Sequence, residues 1–333
     1  MRISQLLSAL PLACLFAGAA QAQQAAGEVC TKKLTMVNEI QMESNGPGPS
    51  SVPVEINGVK HNLTFATAGT ATQISEDTAK ALGLDITGGS EVALFDNESR
   101  ASGNQVTVAK FTMGTLEGTN MKIPVSPSGG RGGGGGAGLF SLNNMLPYDV
   151  DVDFGTDKLR FFSQDHCPGG VLYWQASAVG VAPITIDDGR VTIPVELDGK
   201  ALTGVIDTAA MTTSIKVAVA EKLLGLTMGS PEAPTTTPGN YSRTVGSFRM
   251  GTLGVRNIKV AIESNGARQG GGPAVEAMNR SRAAQAALAN PEVRIGMDLL
   301  RKLHLYMAFG EKKLYITPAS ARTAAAAAPA PAN

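Results

Sequence analysis

Ser51-Val52-Pro53-Val54-Glu55-Ile56-Asn57-Gly58 and Thr192-Ile193-Pro194-Val195-Glu196-Leu197-Asp198-Gly199 are one phrase written twice, with proline, valine, glutamate and glycine coinciding. The spacing that follows repeats as well: 13 positions separate Pro53 from Ala66, and 13 separate Pro194 from Asp207. From there Phe65-Ala66-Thr67-Ala68-Gly69 lies over Ile206-Asp207-Thr208-Ala209-Ala210 without a gap. Val108 to Leu116 answers Val245 to Leu253, and Asn120 to Ile123 answers Asn257 to Val260. Gly138-Leu139-Phe140-Ser141-Leu142 is matched to Gly296-Met297-Asp298-Leu299-Leu300. Separate blocks recurring in one order mark a duplicated unit.

Each unit reads mainly as strand. Asn57-Gly58 and Asp198-Gly199 sit between apolar alternations, which is a strong two-residue hairpin signal. Short apolar runs bounded by Gly, Pro and Asn continue through both halves. Helix is expected only over Glu76 to Leu84, Val217 to Leu226 and around Leu299 to Leu303. The expected fold is mainly β, in two lobes covering residues 51–163 and 191–317. Residues 23–50 form an N-terminal segment, 164–190 an inter-lobe connection, 269–290 an inserted surface helix, and 318–333 a disordered Ala/Pro tail. The glycine run from Gly129 to Gly138 reads as a mobile loop.

Composition narrows the function. The 333-residue chain is 43% hydrophobic and 17% charged, with 28 basic residues against 28 acidic ones. A balanced charge gives no bulk case for nucleic-acid binding. Residues 1–22 read as a secretory signal: Arg2 supplies the positive end, Leu6 to Ala20 the apolar run, and Ala20-Gln21-Ala22 the cleavage site. The expected location is therefore exported, periplasmic or extracellular, with no stable membrane insertion after cleavage. Cleavage removes Cys14 and leaves Cys30 and Cys167, an even pair in an oxidising compartment. A disulfide is the first reading and two buried free thiols the second. No zinc-like ligand spacing and no phosphate-binding loop occur, so neither metal nor cofactor is expected.

The motif Val205-Ile206-Asp207-Thr208-Ala209, after strand–hairpin–strand and before a hydroxyl-rich turn, resembles the aspartic peptidase pattern hydrophobic-hydrophobic-Asp-Thr/Ser-Gly. Ile295-Gly296-Met297-Asp298-Leu299-Leu300 resembles the second signature of that family, and Gly138 and Gly296 stand as its glycines. Each half is similar to a retropepsin-like unit nearly end to end. The resemblance implies a two-lobed acid-protease-like fold with a peptide-binding cleft, each lobe bringing one aspartate. Two carboxyls at close range share a proton; one activates water while the other polarises the scissile carbonyl.

The sequence departs from that pattern. In the ungapped register Asp207 faces Ala66; a one-residue shift would set Thr67-Ala68-Gly69 on Asp-Thr-Gly and place Thr67 opposite Asp207. Either way the chain brings a single catalytic-type aspartate. The family glycine is Ala209, and Thr67 and Thr208 match the position whose hydroxyl bonds across to the other lobe. Asp207 then has three readings: a catalytic residue, a relic that braces its loop, or an ordinary turn aspartate. The expected function is an exported peptidase-family protein that holds peptide or protein segments in extended form, with impaired proteolysis as a monomer. Its alternatives are an active endopeptidase through an Asp207–Asp207 homodimer, and a non-enzymatic envelope structural or assembly protein.

Overall fold

The computed structural model describes residues 30–319 except 45, 92–93, 96–100, 128–135, 188, 226–234, 238–239 and 264–290. The signal segment, most of the glycine run, the insertion and the tail beyond 319 therefore lie outside the described residues.

β1 (Met36–Gln41) precedes the first repeat. The first lobe then runs β2 (Ser51–Ile56), β3 (Val59–Ala66), β4 (Gln73–Ser75) and α1 (Glu76–Ala81). A short ribbon of β5 (Leu94–Phe95) and β6 (Ala101–Ser102) follows, then β7 (Gln105–Met113), β8 (Leu116–Ser126) and β9 (Gly138–Ser141). The chain continues through β10 (Tyr148–Asp153), β11 (Lys158–Ser163), β12 (Gly180–Pro183) and β13 (Thr185–Asp187). The second lobe holds β14 (Arg190–Leu197), β15 (Lys200–Ile206), β16 (Ser214–Lys216), α2 (Val217–Leu224) and β17 (Thr235–Thr237). It ends with β18 (Asn240–Met250), β19 (Leu253–Glu263), β20 (Val293–Ile295) and α3 (Met297–Leu300), before β21 (Leu303–Ala308) and β22 (Lys313–Pro318).

The duplication is visible in the topology. The first lobe closes a barrel in the order β2-β3-β9-β4-β8-β7. The second follows the same path, β14-β15-β20-β16-β19-β18, closed by pairing of β14 with β18. The hairpin turns form as the sequence requires. Asn57 and Asp198 take left-handed backbone at φ 51° and 45°, each followed by a left-handed glycine, the geometry of a two-residue turn. Each turn side chain also pins the neighbouring strand: Asn57 Oδ1 accepts from the Lys110 N–H at 3.0 Å, and Asp198 Oδ1 from the Ser247 N–H at 2.7 Å.

The helices are shorter than the apolar pattern suggests. α1 stops at Ala81, ahead of left-handed Gly83, and α2 stops at Leu224 against left-handed Gly225. α3 begins at Met297 rather than Leu299, and Leu303 already opens β21.

The hairpins that end the repeats, β10–β11 and β21–β22, leave their barrels and join β1 and β12 in a shared sheet, β1-β11-β10-β21-β22-β12. Its middle is the antiparallel pairing of Val150 to Asp153 with Met307 to His304. One set of residues, including Val150, Val152, Leu305 and Met307, joins the hydrophobic core shared by the two lobes. The alternating residues on β10 are Asp149, Asp151 and Asp153, and all three are buried. The 166–174 segment lies against Asp149 and Asp151 through His166 and Tyr173, with Val171 packed against Phe162, Tyr306 and Tyr315 and Trp174 alongside, while Asp153 accepts from the Gly155 N–H and the Thr156 hydroxyl of its own turn.

Those aspartates are buried with partners, as burial demands. Asp151 accepts from Arg160 Nη1 at 3.0 Å and Tyr173 OH at 2.9 Å, and lies 2.8 Å from His304 Nε2. Trp174 stacks on the His304 ring at 3.9 Å. Asp149 lies 2.7 Å from His166 Nε2 and accepts from the Phe309 N–H at 2.8 Å. Burial opposes the His166 imidazolium, but the bonds to Asp149 and the Cys167 carbonyl outweigh it and hold its pKa above the ordinary value. Burial also raises the Asp149 pKa, against its bonds from His166 and the Gly310 and Phe309 N–H groups.

Both shifts have one sign: the folded chain holds protons more tightly than the unfolded chain. The His166 contribution is in place below the unfolded histidine pKa of about 6.5 and is lost as pH rises through its raised value; the Asp149 contribution is in place below the unfolded carboxyl pKa of about 3.9 and is lost as pH rises through its own raised value. Calorimetry over a pH series is expected to find the midpoint falling as pH rises through the raised His166 value. His166→Gln is expected to flatten the slope.

Candidate functional site

The two loops of the duplicated motif meet through reciprocal hydrogen bonds between Thr67 and Thr208. The Thr67 N–H donates to Thr208 Oγ1 at 3.0 Å, and the Thr208 N–H to Thr67 Oγ1 at 3.1 Å. Each hydroxyl then donates across the seam, Thr67 to the Ile206 carbonyl and Thr208 to the Phe65 carbonyl, both at 2.6 Å. Both threonines are essentially inaccessible to solvent. The exchange decides the register: Thr67 is the counterpart of Thr208, so Ala66 is the counterpart of Asp207, and the shifted alignment does not hold. Ala68 and Ala209 are then equivalent, as are Gly69 and Ala210, whose N–H groups close matching turns onto the Ala66 and Asp207 carbonyls.

Gly138 and Gly296 are not equivalent positions. Gln73 pairs with Leu139 and Ile74 with Gly138, whereas Ser214 pairs with Arg294 and Ile215 with Val293. Gly138 therefore matches Val293, and Gly296 matches Ser141, three residues away from the block alignment. Each glycine still admits a close backbone approach. A Cβ on Gly138 would meet the Gln73 carbonyl oxygen at 2.1 Å, and one on Gly296 the Thr212 carbonyl carbon at 2.4 Å. Cys30 and Cys167 are both disulfide-bonded.

Asp207 is buried, its side chain 9% exposed. Its Oδ1 accepts from the Ala209 N–H at 3.0 Å, and its Oδ2 from Arg294 Nη1 at 3.2 Å. The same guanidinium reaches Glu263 Oε1 through Nε at 3.1 Å, and that oxygen also accepts from Ser214 Oγ at 2.6 Å. A guanidinium thus stands between the two carboxylates. Arginine stays protonated throughout the working range and cannot shuttle the proton that a carboxyl pair would share. Glu76 and Asp77 do not fill the gap left by Ala66. They sit in the first turn of α1, with Glu76 paired to Lys80 at 2.6 Å.

Arg294 is the site residue that sequence reading missed. It interrupts the apolar run Val293-Arg294-Ile295, and that interruption was the available signal. Asp207, Arg294, Glu263 and Ser214 line a pocket of about 220 Å³, together with Ala68, Val205 and Lys216 among others. Burial lowers the Lys216 pKa, and nearby Arg190 and Arg294 add to that against Glu263 and Glu292.

Thr208→Val would leave the Phe65 carbonyl and the Thr67 N–H without their partners in a buried seam. It is expected to cost about 2–4 kcal/mol, measured by urea unfolding, while Thr208→Ser retains most of the stability. Gly296→Ala is expected to destabilise more than Gly69→Ala in the same assay. Its added methyl meets backbone, whereas at Gly69 the nearest atom would be 3.2 Å away.

A family model described as Aspartyl protease matches residues 52–143, within the first repeat. Among curated proteins none matches the chain. Among solved structures the chain is similar to the basic 7S globulin from soybean, at 8% identity over 86% of this chain and 97% of that one, with a TM-score of 0.50. It is similar to conglutin gamma, a basic 7S globulin from lupine seeds, at 9% identity over 86% and 95%, with a TM-score of 0.50. An aspartic proteinase from Irpex lacteus aligns at 13% identity over 86% and 98%, with a TM-score of 0.49. Reciprocal threonines at the seam of two topologically matched barrels, joined by a shared sheet, agree with the family-model match and with the two globulin likenesses: the chain has the pepsin/retropepsin-like aspartic-protease fold.

Proposed function

We propose that this chain is an exported protein of aspartic-protease fold whose inter-lobe cleft holds peptide or protein segments in extended form without cleaving them. One observation carries the reading: Asp207 is ion-paired to Arg294 at 3.2 Å, while the position opposite it is Ala66. Proteolysis by this fold requires two carboxyls that share a proton. Here a methyl group replaces one, and a permanent cation neutralises the other. The binding half of the activity has no such requirement. Extended peptides are held by backbone hydrogen bonds and side-chain pockets, neither of which needs the second acid.

The homodimer alternative has less support. An Asp207–Asp207 pair would need the second lobes of two chains to face each other. In each chain that face is already engaged by Thr67, through hydrogen bonds as short as 2.6 Å. Export is supported by the pattern from Arg2 to Ala22 and by the cystine chemistry of Cys30 and Cys167. Among the described residues no helix is long and apolar enough to cross a membrane.

The test is a pH-resolved assay on a diverse peptide library, with wild type beside Asp207→Asn, reading both cleavage and retention. Retention without turnover, unchanged in Asp207→Asn, is the expected result. Pepstatin-sensitive cleavage at acid pH that disappears in Asp207→Asn would establish an enzyme instead. Failure to retain any peptide would leave the envelope structural role.

A further inference from the structure

The two histidines that meet buried aspartates on β10 are held differently. His166 has an acceptor at each ring nitrogen: Asp149 Oδ2 lies 2.7 Å from Nε2, and the Cys167 carbonyl oxygen 3.1 Å from Nδ1. A carbonyl only accepts. The carboxyl and the imidazole therefore make both bonds only while they hold two protons between them, whichever atom carries the shared one. With one proton fewer, a lone pair is set against an oxygen, and a side chain 3% exposed leaves water no room to take over. His304 meets a single acceptor, Asp151 Oδ2 at 2.8 Å from Nε2, and its buried Nδ1 has no partner. Asp151 also holds Arg160, a counter-charge that does not titrate.

Each element packed against His166 brings a polar or charged group. β10 brings Asp149, and β21 the Tyr306 hydroxyl, 3.5 Å from Asp149 Oδ2. The turn between β21 and β22 brings Glu311, whose Oε1 lies 4.0 Å from Nδ1. Glu311 accepts from the Gly169 N–H at 2.8 Å, from Tyr315 OH at 2.8 Å and from Lys313 Nζ at 3.4 Å. Asp165, next to His166 in the chain, is exposed and paired to Lys32. Burial raises the pKa of both phenols, so their hydroxyls stay protonated where the imidazole titrates. With two protons on the pair, the centre balances: His166 and Lys313 stand against Asp149 and Glu311. Loss of one leaves an unmatched negative charge beside two buried carboxylates. That penalty falls on residues 166–171, because Asp149 and Glu311 are two of their holds on the sheet. The third is Val171, fully buried against Phe162, Tyr306 and Tyr315.

We propose that residues 166–171 are a pH-operated clasp, shut on the shared sheet while the His166–Asp149 pair holds two protons and lifted from it when one of them leaves. Tyr173 and Trp174 stay seated through Asp151, Thr317 and the His304 ring, so the release is local. The raised His166 pKa fixes the direction: the clasp is shut below about 6.5 and opens as pH rises through the raised value. Lifting bares Val171, Phe162 and Tyr315 and leaves both barrels folded. The clasp works whether or not the cleft holds peptide.

The test is amide hydrogen exchange on the full chain across a pH series, with protection corrected for the intrinsic rate at each pH, beside an NMR titration of the His166 ring. The reporters are the Gly169 and Gly170 amides, which donate to Glu311 and to the Cys167 carbonyl. Their protection is expected to fall about tenfold with the midpoint of the His166 ring, the size of one buried hydrogen bond left unmade. Over the same range the amides of β10 and β21 and the emission of Trp174, the single tryptophan, are expected to hold steady. His166→Gln is expected to remove the pH dependence, with Trp174 emission reporting that the variant is folded. If the variant does not fold, the wild-type comparison of clasp amides with β10 and β21 amides decides alone. Protection unchanged across the His166 titration would overturn the clasp. So would a fall shared by β10 and β21, which is global unfolding, or a fall that keeps its midpoint in His166→Gln.

Discussion

Two threonine side chains set the terms for everything else in this molecule. Thr67 and Thr208 each give a hydroxyl proton to a carbonyl of the opposite lobe and take an N–H in return, where water cannot substitute. In such a setting an unmade bond costs more than a made one contributes. The arrangement is therefore close to all-or-none: either both loops are in register or both lose. That register places Ala66 where symmetry would place a second aspartate, and it brings Ala68 of one lobe to the pocket of Asp207 in the other.

The sheet between the lobes obeys a harsher rule. Strands covered on both faces usually read as unbroken apolar runs, but Tyr148-Asp149-Val150-Asp151-Val152-Asp153 alternates as though one face met solvent. The structure covers that face with the 166–174 segment and supplies a partner to each carboxylate. Burying such charges carries a large desolvation cost, which good geometry offsets without a large surplus. The network is thus better understood as fixing where the covering segment sits than as a main source of stability.

Much of the architecture was legible in the sequence because its signals are local. Asn57-Gly58 and Asp198-Gly199 specify a turn type from two residues, and the repeated spacing to Ala66 and Asp207 carried the duplication. Asp207 and Thr208 were legible for the same reason. The ion pair to Arg294 was not, since it joins residues 87 apart in sequence across a parallel strand pairing. Matching glycine to glycine concealed it further: the backbone needs a glycine at Gly138 in one lobe and at Gly296 in the other, three positions out of step. The roles of His166 and His304 were hidden for a related reason. Asp165 stands next to His166 in sequence, yet His166 and His304 find their partners, Asp149 and Asp151, 17 and 153 positions away on a strand that reads as ordinary alternation.

The central pairing of β10 with β21 has a consequence for the halves taken separately. Each repeat contributes one of those two strands, so a chain severed between the lobes would yield two pieces that each carry a bare margin of unshared amide and carbonyl groups. Such a margin is a template for recruiting another strand. The duplicated gene thus carries its own complementing partner in cis, and linkage in one polypeptide protects each half from promiscuous self-assembly.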